Sequence, residues 1–101
     1  MHLIQILLPL NDSLGRRSPA EAFECLAREL TEKFGGVTSF TRTPAEGRWK
    51  DGRKTERDDI AVIEVMTETI EHEWWSDFRR HLEQQFNQDE VIIRCQSIQR
   101  L

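Results

Sequence analysis

Three polar side chains occupy positions where a folded sheet could bring them together: Gln5 in the apolar run 3–10, Glu64 in the run 59–66, and Arg94 in the run 91–98. An amide held between a carboxylate and a guanidinium could orient a small polar ligand. Glu64, set among Ile60, Val62 and Met66, could also serve as a base unless Arg94 holds it in its charged form. The competing reading is that the three satisfy one another beneath a subunit interface and fix its register.

A second candidate is the stretch 35–59, in which Arg42, Arg48, Lys50, Arg53, Lys54 and Arg57 surround Trp49. Planar guanidinium forks pair bidentately with carboxylate or phosphate, and an indole stacks on planar ligands. Glu46, Asp51 and Glu56 are interspersed, so a solvated hairpin turning at Asp51-Gly52 explains the charges as well, with Trp49 as a lid over the sheet edge. A third candidate is Arg16 and Arg17 at the start of the first helix, because helix N-termini carry unpaired N–H groups. There the plain reading is a capped helix with flanking surface charge. The ligand-binding set read from the sequence is therefore Gln5, Arg48, Trp49, Glu64 and Arg94, and no catalytic residue is assigned.

Other chemistries find little support. Cys25 is the one plausible nucleophile, but it lies two turns into a helix, away from the terminal dipole that would activate it, and Cys95 reads as a buried strand residue. Nine residues separate His72 from His81, which places them on opposite sides of a helix. Glycine loops for phosphate, nucleophile elbows and zinc signatures are all missing from the chain, so the reading calls for no metal and no cofactor.

Those side chains need a scaffold. Residues 3–10 read as a strand covered on both faces. Ser18-Pro19-Ala20-Glu21 reads as a capping box with proline at the first helical position, and Phe23, Leu26, Ala27, Leu30 and Phe34 follow at helical spacing until Gly35-Gly36. Residues 37–42 form a strand that Pro44 ends, and 59–66 form the next. From Thr67 the period becomes helical, with Ile70, Trp74, Phe78, Leu82 and Phe86 on one stripe, and 91–98 is the last strand.

The order β-α-β-β-α-β predicts a ferredoxin-like α+β sandwich, an antiparallel sheet with the first and third strands central and both helices on one face. Alternation then turns Leu3, Gln5 and Leu7, with Ile60, Val62, Glu64 and Met66, and Ile92, Arg94, Gln96 and Ile98, toward the uncovered face. So apolar a face predicts a homodimer packed through it, in the manner of a dimeric α+β barrel.

At 101 residues the chain has room for one domain, and 38% hydrophobic with 32% charged residues is a globular composition. A formal net charge of −4 argues against nucleic acid as the main partner. The apolar start has no positive n-region or cleavage site and is too short to cross a bilayer, so the expected setting is the cytoplasm, with both thiols reduced and no membrane contact.

Gly35-Gly36-Val37-Thr38, then Pro44-Ala45-Glu46-Gly47, Trp49, Asp58-Asp59, Trp74-Trp75 and Phe86-x-Gln88 resemble a group of short bacterial proteins without an established activity. The resemblance implies a small α+β domain and carries no catalytic residue with it. Taken together, the residues point to a homodimeric small-ligand-binding domain, possible enzyme included, taking an anionic or aromatic ligand. The alternative is a non-catalytic protein-protein interaction or regulatory module, with the basic loop and the acidic long helix as its contact surfaces.

Overall fold

The computed structural model describes residues 1–41 and 44–101. Its elements are β1 (His2–Pro9), α1 (Ala20–Phe34), β2 (Thr38–Asp51), β3 (Lys54–Thr67), α2 (His72–Gln85) and β4 (Ile92–Ser97). They build one four-stranded sheet in the order β2-β3-β1-β4, antiparallel at every pairing, as the element order predicts.

Alternation along β1 decides where the core sits. Ile4, Ile6 and Leu8 are buried, as are Ala61, Ile63 and Val65 of β3 on the same side. The helices bring Leu26 and Leu30 from α1 and Trp75, Phe78 and Leu82 from α2 onto them, and Phe86 and Val91 close one end. Each fully buried aliphatic side chain contributes about 1.5–3 kcal/mol relative to exposure, so this one-sided layer is the main source of stability. Phe34 stacks on Trp75 with ring centroids 5.2 Å apart, and Trp74 stacks on Phe78 at 4.7 Å, so the Trp74-Trp75 pair is consumed in packing the helices together.

Several boundaries differ from those expected. Pro19 is the N-cap of α1 and no side chain caps it. Ser18 lies one residue before that cap, and its backbone N–H donates to the Leu10 carbonyl, closing the loop that precedes the helix. Pro44 does not end β2: the strand shifts register between Phe40 and Ala45 and continues to Asp51. On an edge strand a missing N–H need cost no ladder bond, which is why proline is tolerated there. The hairpin turns at Gly52-Arg53, one residue beyond the expected pair, with Asp51 opposite Lys54 and Gly52 at φ 65°. A two-residue loop whose first residue has positive φ and is glycine fits a type II′ turn. Thr67 ends β3 rather than starting a helix, and α2 begins at His72. Cys95 is exposed, because β4 is an edge strand reaching past the cover of the helices.

Gly35 ends α1 at φ 85°, its N–H bonded to the Thr31 carbonyl, whereas Gly36 has no positive φ, and nothing lies within 4 Å of a Cβ built at either. Gly35→Ala should therefore cost about 1 kcal/mol through backbone strain alone, while Gly36→Ala should be neutral or slightly stabilising. Urea titration of the two variants checks the contrast. Leu82, fully buried beneath the sheet, should lose about 3–5 kcal/mol on replacement by alanine with an unchanged m-value, and Leu14, 70% exposed in its loop, should lose almost nothing.

Candidate functional site on the open sheet face

β1 pairs with β3 on one side and β4 on the other, and both registers place Gln5 in the same row: Gln5 lies opposite Glu64 and opposite Arg94. The Gln5 amide spans the gap. Its Nε2 donates to Glu64 Oε2 at 2.7 Å, and its Oε1 accepts from Arg94 Nε at 2.9 Å. Neighbouring strands are about 4.8 Å apart, so carboxylate and guanidinium are held about two strand spacings from each other with the amide as spacer.

Rows on either side are mostly apolar. Met66 and Leu3 lie beside Gln96 below, and Phe40, Val62, Leu7 and Ile92 line up above, followed by Ala45, Ile60 and Pro9. Four of the large hydrophobic side chains left exposed belong to this one face: Phe40 at 46%, Trp49 at 45%, Met66 at 48% and Ile92 at 51%. Ile98 falls just past the end of β4, with its N–H bonded to the Met1 carbonyl.

Beyond Pro9, β1 stops while β2 and β3 continue as a two-stranded arm to Gly52-Arg53. Alternation divides the arm. Trp49, Gly47, Asp58 and Ile60 share the open face, and a Cβ built on Gly47 would run into Ile60 Cδ1 and meet the Trp49 ring at 3.5 Å. Glycine is thus what lets Ile60 lie across the arm beside the indole. Arg48 and Arg57 pair directly across the strands on the other side, where Glu46 Oε1 lies 3.0 Å from Arg48 Nε and 3.7 Å from Arg57 Nε. The Arg48 guanidinium beside it holds the Glu46 carboxyl below its usual range.

Of the ligand-binding set expected from the sequence, Gln5, Glu64 and Arg94 form one hydrogen-bonded row and Trp49 stands further along the same face. Arg48 stands apart, on the opposite side of the arm and engaged with Glu46. Arg42 of the basic stretch lies outside the described residues. Arg16 folds back on Asp12 at 3.4 Å, whereas Arg17 lines a groove of about 670 Å³ on the helix-bearing side, with Ser18, Phe23, Ser39 and Thr41. That groove exists because α1 does not reach over β2, and strand-by-strand periodicity carries no sign of it. Neither was the Phe40 position legible, since the chain was expected to leave the sheet shortly after it. Among the described residues, no three of His, Cys, Asp and Glu cluster as metal ligands.

No family model matches the chain, and no curated protein matches it. The fold is similar to that of a phage SAM lyase in complex with S-methyl-5′-thioadenosine, with a TM-score of 0.63, 16% identity, and coverage of 94% of this chain and 79% of that chain. It is also similar to a phage SAM lyase in the apo state, with a TM-score of 0.59, 15% identity, and coverage of 94% and 78%. At these identities the likeness establishes a shared fold. No helix is long and apolar enough to cross a membrane.

Asp58 reports on the environment of the arm's open side. Partial burial pushes its carboxyl above the ordinary 3.8, and the charges of Asp59 and Glu56 add to the rise. A carboxyl with a raised folded-state pKa binds its proton more tightly when folded, so it destabilises the fold above that pKa and is neutral below 3.8. Asp58→Asn should raise the unfolding temperature at pH 7, and the gain should shrink and vanish as pH falls below 3.8, which paired thermal melts across that window would show.

Proposed function

We propose that this chain is a small-ligand-binding domain that works as a homodimer through its open sheet face, with Gln5, Glu64 and Arg94 as polar anchors and the arm bearing Trp49 as the rim of the site. The observation that carries the reading is the Glu64–Gln5–Arg94 row, hydrogen-bonded in place at the centre of an apolar face. Ligand sites are mostly apolar surfaces with a few fixed polar groups, and this face has that composition once a second layer covers it. Trp49 offers a stacking surface for a planar group. Arg48 acts at one remove, by pairing with Glu46 and steadying the arm.

The fold likeness nominates the first compounds to try. S-methyl-5′-thioadenosine, which the similar phage enzyme holds, presents a planar aromatic base that suits an indole, and small organic acids and phosphates suit the guanidinium of Arg94. Glu64 is the residue placed to accept a proton if the bound molecule reacts, which would make the domain an enzyme.

Thermal shift against these classes tests the reading. A compound at about a hundred times its dissociation constant should add roughly 2.7 kcal/mol, several degrees in a domain of this size. Affinity should fall at least about tenfold in Arg94→Gln or Trp49→Ala, and stay unchanged in Arg17→Ala on the other side of the molecule. Loss of affinity in Arg17→Ala alone would move the site to the groove between α1 and β2. Absence of stabilisation by every class would favour the protein-interaction module, for which the exposed indole and charged arm are the contact surface.

A further inference from the structure

The charged row on the open face has a symmetry that selects how two copies meet. Glu64, Gln5 and Arg94 sit on β3, β1 and β4 in a row that Thr38 of β2 extends past Glu64, and Gln5 lies between the two opposite charges. Gln5 uses one oxygen of Glu64 and the Nε–H of Arg94. The second carboxylate oxygen and the Nη donors of the guanidinium have no partner among the described residues and project from an otherwise apolar surface.

If the strands of two stacked sheets are to stay aligned, a two-fold axis lying between the sheets runs either along the strands or across them. With the axis along β1, left and right exchange: Glu64 of one copy faces Arg94 of the other, twice over, and Val62 faces Ile92 on either side of a Leu7–Leu7 contact. With the axis across the strands through Gln5, Glu64 faces Glu64 and Arg94 faces Arg94. Sliding that second axis by one row sets Glu64 against Ile60 instead, a carboxylate buried on an apolar side chain without a cation. Like-charge contacts and unpaired buried charges are both strongly unfavourable at an interface.

We infer that the occupant of the open face is a second copy of this chain related by a two-fold axis running along β1, so that Arg94 of the second copy completes the coordination of Glu64 and the polar row becomes a six-residue ladder shared by both chains. This rests on the homodimer in the reading above and refines it: the polar row sets the geometry of the dimer, and the ligand is left to the cleft between the arms, where Trp49 stands. It also covers part of the exposed apolar row: Val62, Leu7 and Ile92 are brought against Ile92, Leu7 and Val62 of the second copy, while Phe40 on the overhanging β2 and both arms, which project from the same end, border a cleft where Trp49 stands.

Sedimentation velocity on the intact chain and four variants tests the geometry separately from ligand binding. Wild type should be dimeric. Glu64→Arg and Arg94→Glu should each weaken the dimer at least about tenfold, because each creates two like-charge contacts, and a one-to-one mixture of the two should form a heterodimer in which every contact is again of opposite sign. Mixing cannot repair a defect within one chain, so recovery locates the pairing between chains. Glu64→Gln and Arg94→Gln, gentler changes verified as folded by circular dichroism, should also weaken the dimer. A tighter dimer in these two would indicate the crossed axis and overturn the inference. So would a monomeric wild type, charge-reversed variants that dimerise as well as wild type, or a mixture that stays monomeric. A dimeric wild type that S-methyl-5′-thioadenosine stabilises but whose charge-reversed variants and mixture fail these tests would leave the reading above standing and remove only the proposed symmetry.

Discussion

One constraint governs the molecule: β1 is flanked on both sides by antiparallel partners in a sheet that has helices on one face only. Central placement makes every odd residue of β1 a junction between three strands on the open face, and every even residue a junction in the core. Burying Ile4, Ile6 and Leu8 is what fixes the register, since a slip of one residue would expose them and bury Gln5. The hydrogen-bonded row at Gln5 is therefore a by-product of core packing. Its geometry is held by apolar contacts on the far side of the sheet, and the polar groups inherit their precision from them.

How much of this was legible depends on whether the signal is local. Alternation in residues 3–10 and 59–66 and the four-residue spacing from Ile70 to Phe86 are strong periodic signals, and with the element order they lead to the strand order and to the composition of the open face. That Gln5 would lie between Glu64 and Arg94 follows from the same periodicity once β1 is central. What did not follow is anything decided by an element's neighbours. Pro44 looks like a strand terminator until β2 is known to be an edge, and Cys95 looks buried until β4 is known to lie beyond the helices. Ser18 looks like a cap, but the helix starts one residue later, where the loop that folds back on Leu10 delivers the chain, and local sequence does not carry that. The split between Arg48 and Trp49 is readable in principle, because adjacent strand residues face opposite ways, but only once the stretch up to Asp51 is known to be strand.

The ends of α2 show the same economy as the sheet. Glu83 receives Arg79 at 3.0 Å and accepts the Val91 N–H at 2.9 Å, so one carboxylate ties the helix to the entry of β4. Asn87 turns the chain at φ 50°, and its carbonyl accepts the Ser13 N–H, while Gln88 donates to the Asn11 carbonyl. The loop after β1 is thus anchored to the far end of the helical layer. Asp12 organises that loop by accepting the backbone N–H groups of Arg16 and Leu14, and these bonds draw its carboxyl below the usual range.

Edge protection is a final consequence of the register irregularity in β2. This strand runs fourteen residues with one side unpaired, long enough to recruit a further strand and propagate a ribbon from molecule to molecule. The shift between Phe40 and Ala45 breaks its straight hydrogen-bonding edge, Pro44 removes a donor from it, and Glu46, Arg48 and Lys50 load the remainder with charge. Sideways polymerisation is hindered where the backbone would permit it, so the apolar surface left for contact is the flat face of the sheet, whose backbone groups are already paired within the molecule.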